Sequence, residues 1–78
     1  MTKKQKQGAL FGRIVKEYRE KKGMTQNALA HKLSLTRNTV NSWEVGHIPV
    51  KPVCDMVQKV LDIPQIEFDR LYAVKGDE

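Results

Sequence analysis

The chain of 78 residues is poor in cysteine: Cys54 stands alone, so no internal disulfide can form. A single thiol fits a reducing compartment. No apolar stretch follows the N-terminal lysines, which predicts a protein without a signal peptide, located in the cytoplasm. No apolar run approaches the roughly 20 residues of a membrane helix, so no membrane partner is expected. Metal ligands are also scarce. His31, His47 and Cys54 do not supply the three or four spaced ligands of a zinc site, and no metal or other cofactor is expected. There is no GxxxxGK[ST] loop, HExxH or GxSxG motif, so an enzyme is not expected. The length excludes a barrel or a nucleotide-binding sheet carrying a substrate domain. What is present is ordinary globular material, 40 % hydrophobic and 29 % charged. A domain this small buries only roughly 60 % of its unfolded surface, which favours locally packed helices or self-association.

Charge is in excess and unevenly placed. The 14 Lys and Arg outnumber 9 Asp and Glu, for a net +5. Residues 1–23 hold eight bases and two acids, whereas residues 52–78 hold three bases and six acids. This polarity suggests a polyanion at one face and a different partner at the other, although a solvated surface can show the same imbalance.

Apolar spacing divides the chain into five helices. Leu10, Phe11, Ile14, Val15 and Tyr18 form one stripe, predicting a first helix from about Ala9 to Lys22 that stops at Gly23. Thr25 caps a second helix, with Met24 and Leu29 placed to form a hydrophobic staple. Thr36 caps a third in the same way, with Leu35 and Val40 as its staple and Gly46 as its end. Only Ser34 and Leu35 separate the second apolar stretch from the third cap, which is the spacing of a helix-turn-helix. Pro52 and Pro64 open a fourth and a fifth helix. The expected fold is all-α. Residues 1–7 lack apolar periodicity and are expected to be a flexible basic arm, residues 8–74 the domain, and residues 75–78 a disordered tail.

The ordered set Phe11-Gly12, Val15-x-x-Tyr18-Arg19, Met24-Thr25-Gln26-x-x-Leu29-Ala30-x-x-Leu33, Leu35-Thr36-Arg37-Asn38-Thr39-Val40 and Trp43-Glu44-x-Gly46 resembles the Cro/C1-type (XRE, phage-repressor-like) helix-turn-helix domain. Pro49 and Val57-x-x-x-Leu61 extend the likeness over about two thirds of the chain. The resemblance implies a compact five-helix domain whose third helix enters the major groove of double-stranded DNA. It also implies that Arg19 and Glu44 pair across the first and third helices, and that Gln26 contacts phosphate while bracing the third helix. The family often has glycine where this chain has Ser34.

With Val40 and Trp43 assigned inward, the third helix presents Arg37, Asn38, Asn41, Ser42 and Val45 outward. Arg suits guanine O6/N7 and Asn suits adenine N6/N7, so Arg37, Asn38, Asn41 and Ser42 are expected to contact bases. Arg37 in a first helical turn opposes the helix dipole, a poor choice for stability and a sensible one beside DNA, though a merely solvated Arg fits too. Gln26, Thr36, His47, Lys51, Lys3, Lys4 and Lys6 are the expected phosphate contacts. Trp43 is expected in the core. Ile66, Phe68, Leu71, Tyr72 and Val74 are more apolar positions than one terminal helix needs, and some are expected to face a second copy of the chain. The favoured reading is a homodimeric, sequence-specific transcriptional regulator, a repressor, on a pseudo-palindromic operator. The alternative is a protein-interaction module of the same fold, antitoxin-like or bridging to the transcription machinery.

Overall fold

In the computed structural model, which describes residues 2–74, Thr2 opens the first helix through a reciprocal cap. Its hydroxyl oxygen accepts the Gln5 N–H at 3.1 Å, and the Gln5 side-chain oxygen accepts the Thr2 N–H at 2.9 Å. Helix α1 therefore spans Lys3–Lys21, and residues 3–7 are helical instead of forming the flexible arm. Two cap bonds and a run of Lys and Gln, both good helix formers, extend a helix that the apolar stripe already anchors. Absence of apolar periodicity was no evidence against helix there. Met1 and the expected tail at 75–78 lie outside the described residues.

Helix α2 (Gln26–Lys32), α3 (Arg37–Glu44), α4 (Lys51–Leu61) and α5 (Gln65–Tyr72) follow, with no strand among the described residues. Thr25 accepts the Ala28 N–H at 3.0 Å and Thr36 accepts the Thr39 N–H at 3.4 Å, so both threonines cap as their positions predict. Helices α1 to α4 end in a common way. The N–H groups of Met24, Leu35, His47 and Ile63 each return to a carbonyl five residues back, at 2.8–3.0 Å. The residue before each of these turns left-handed: Gly23, Ser34, Gly46 and Asp62, with φ of 68°, 57°, 119° and 53°. Ser34 thus adopts the conformation glycine would supply at the family's position, and its Cβ makes that conformation costly.

Phe11 sits at the centre of the core with no exposed surface, edge-on to Trp43 of α3 at 6.0 Å and to Phe68 of α5 at 6.4 Å. Leu29, Val40, Val57, Leu61 and Leu71 close around it. Trp43 is accordingly core. Phe68 and Leu71 are 0 % exposed, so neither can meet a second copy; α5 needs both to cover Phe11 and its neighbours. Ile66 is 60 % exposed, Tyr72 is exposed and Val74 is half-buried.

One packing feature went unassigned in the sequence. Gly8 and Gly12, one helical turn apart, lie where α1 crosses the end of α3, and both are buried. A Cβ on Gly8 would collide with the Gly46 carbonyl, and one on Gly12 with the Trp43 carbonyl and the Glu44 backbone. Only hydrogen fits between these backbones.

Two substitutions should shift stability in opposite directions. Ser34→Gly should raise the unfolding free energy by about 0.5–1 kcal/mol through relief of the left-handed serine. Gly12→Ala should lower it by about 1–3 kcal/mol because the two helices must separate. Chemical denaturation of each variant checks both signs.

Candidate nucleic-acid interface

Position on α3 follows from helical spacing. Val40 and Trp43 point into the core, which turns Arg37, Asn38, Asn41 and Val45 to the opposite side, and all four are exposed. Ser42 lies beside them, half-buried, with its hydroxyl donating to the Thr39 carbonyl at 2.7 Å. Three polar candidates therefore project outward, and the fourth is partly committed to its own helix.

The face is tied to the body of the domain by a continuous chain of polar contacts. Arg19, on α1, donates from Nε to Glu44 Oε2 at 2.8 Å and from Nη2 to Glu44 Oε1 at 3.1 Å. Its Nη1 donates to the Met24 carbonyl at 2.7 Å, in the link between α1 and α2. The pair is shielded, with side-chain exposures of 11 % and 7 %. Bonding to Glu44 pushes the Arg19 pKa above its ordinary value, against burial, which acts to lower it. Glu44 Oε1 also accepts from Gln26 Nε2 at 3.2 Å. The same Gln26 nitrogen lies 3.3 Å from Asn41 Oδ1, and Gln26 Oε1 accepts from Arg37 Nε at 3.4 Å. Gln26 thus links two outward α3 side chains to a buried ion pair. In this geometry its amide is turned to the protein, so a phosphate contact would compete with bracing.

The remaining candidates flank this face. The Thr36 hydroxyl caps α3 and shares a hydrogen bond with the Thr39 hydroxyl at 3.1 Å. His47 is exposed, and its Nδ1 and backbone N–H both meet the Ser42 carbonyl, at 3.2 and 3.0 Å. The first turn of α1 borders the same loop: Thr2, Lys4 and Gln5 face Gly46, His47 and Ile48 across a shallow open cleft. Lys3 and Lys4 are exposed, so the start of α1 brings positive charge beside the end of α3. Lys6 is half-buried and lines another surface depression with Ala9, Leu10 and Arg13. Lys51 is exposed and pairs with Asp55 at 3.3 Å, one turn along α4. Such an exposed pair contributes little and leaves the lysine able to exchange partners.

Gly12 belonged to the family resemblance without a packing role and Gly8 was not singled out, yet both let the end of α3 approach α1 closely. A signal for them existed, since two glycines inside a helical stripe mark a packing reason. The branching of Gln26 to Arg37, Asn41 and Glu44 had no such signal, because side-chain bonds between helices depend on crossing geometry.

A family model described as helix-turn-helix matches residues 15–71. No curated protein and no solved structure matches the chain. Among the described residues no helix is long and apolar enough to cross a membrane.

The buried pair should be far more sensitive to loss of one partner than to loss of both. Arg19→Ala alone should cost about 3–5 kcal/mol by leaving Glu44 shielded and unpaired. Arg19→Met combined with Glu44→Leu should recover most of that loss, since apolar replacement of both ions is often neutral. Urea unfolding of the single and double variants measures the difference.

Proposed function

We propose, from the premise that the chain belongs to the Cro/C1-type helix-turn-helix family of DNA-binding regulators, that it is a sequence-specific repressor acting in the cytoplasm as a homodimer. The observation that carries this reading is the outward face of α3. Arg37, Asn38 and Asn41 are exposed there, and Arg37 and Asn41 are held from α2 by Gln26. Arg and Asn are the side chains whose paired donors and acceptors match guanine and adenine edges in the major groove. Arg37, Asn38, Asn41 and Ser42 read bases in this proposal. Lys3, Lys4, Lys6, His47 and Lys51, with Gln26 and Thr36 at the helix starts, meet the phosphates on either side and fix the register.

The homodimer reading rests on exposed apolar surface away from α3. Ile66 and Tyr72 retain large accessible areas on α5, and Val74 is half-buried just beyond it. A second copy that covers part of this surface places two reading helices on half-sites about one helical turn apart.

Selection of a site from random duplexes tests the reading as a whole, and a pseudo-palindrome is the expected product. On that duplex Arg37→Ala and Asn41→Ala should each cost about 1–3 kcal/mol and relax specificity at one position. Replacing Lys3 and Lys4 by Gln should weaken binding to all sequences and flatten the salt slope by about 0.9 for each phosphate that is no longer neutralised. If the α3 variants bind the selected duplex like the parent, the fold serves protein contacts instead. Ile66→Glu should move the protein toward monomer in sedimentation equilibrium without unfolding it.

A further inference from the structure

Val45 is the one apolar side chain on the reading face, and it is 66 % exposed. It follows Asn41 by four residues and Asn38 by seven, so it shares their side of α3. From Asn38 to Val45 the helix rises about 10.5 Å, close to the roughly 12 Å width of the major groove. Its neighbours in the core are Val40 and Trp43, both enclosed, whereas Val45 contributes nothing to that cluster. It has no role in phosphate binding either. The side chain carries no donor, and its backbone N–H is already bonded to the Asn41 carbonyl at 3.0 Å. What remains for an exposed β-branched group among polar readers is an apolar contact. On the floor of the major groove the apolar feature is the 5-methyl group of thymine.

We propose that Val45 is a further specificity-determining residue, whose isopropyl group packs against the 5-methyl of one thymine in each half-site. The proposal rests on the assignment of α3 as the DNA-reading helix. It adds an apolar requirement to the hydrogen-bond pattern recognised by Arg37, Asn38 and Asn41. The polar side chains distinguish bases by donors and acceptors, and Val45 distinguishes thymine from bases that lack the methyl. Its exposure at the C-terminal end of α3 assigns that thymine to the end of the half-site opposite the base facing Arg37.

The test uses the full chain and the duplex it selects. Each thymine is replaced in turn by uracil, which pairs identically and lacks only the methyl. One thymine per half-site should show an affinity loss of about 3–5-fold per methyl with the parent protein. Val45→Ala should bind the unmodified duplex about as weakly as the parent binds the uracil duplex, and should show no further loss on uracil. Val45→Thr, similar in shape and keeping one methyl, should fall between. Thermal unfolding of both variants should match the parent, because the residue is exposed. The proposal is overturned if Val45→Ala lowers affinity equally on thymine and uracil duplexes, or if no thymine is sensitive, while Arg37→Ala still relaxes selectivity. In either case α3 remains the reader. Failure to select any duplex overturns the DNA-reading assignment and this proposal with it.

Discussion

The close crossing of α1 over the end of α3 is the constraint on which the rest depends. Gly8 and Gly12 remove the side chains that would hold the backbones apart, and Arg19 locks the crossing by gripping Glu44 with two hydrogen bonds. A third bond from Arg19 to the Met24 carbonyl fixes the start of α2. Three helices are thereby referenced to one guanidinium. The ion pair is a device for orientation more than for net stability, because its desolvation offsets much of its attraction. What it secures is the direction in which α3 points its outward face.

That direction reaches the surface through Gln26. An exposed arginine and asparagine on an isolated helix would sample many rotamers, and each would have to be ordered on binding. Here Arg37 and Asn41 share one amide, itself anchored to Glu44. Lys4 at the start of α1 faces the loop after α3, so positive charge lies beside that loop. The acidic residues of the last third are partly neutralised locally: Asp62 pairs with Lys22, Asp55 with Lys51 and Glu67 with Arg70. The Lys22–Asp62 pair thus ties the basic first third of the chain to its acidic last third.

Much of this was legible residue by residue. Thr25 and Thr36 marked helix starts because a hydroxyl at that position satisfies a free N–H, whatever the tertiary context. Gly23 and Gly46 marked helix ends because their turns need a left-handed residue. Ser34 and Asp62 serve the same turns without glycine, and only the backbone reveals it. The first helix begins earlier than its apolar stripe, since capping by Thr2 and Gln5 is local chemistry that periodicity does not register. Phe68 and Leu71 had the composition of an interface but complete the core, a distinction set by how α5 packs. The inward side of α3 was readable from Val40 and Trp43, and its outward face followed by subtraction. The branching of Gln26 was not readable, because it depends on the angle between α2 and α3.

In the proposed complex the α1–α3 crossing presents the outward face of α3, together with the first turn of α1, to a duplex. Backbone amide chemical-shift mapping during titration with the selected duplex tests it most directly. The largest changes should fall on Arg37–Val45, on the loop at Gly46–Ile48 and on Lys3–Gln5, with α4 and α5 altered only where two copies meet. Changes confined to α4 and α5, with α3 unmoved, would contradict it.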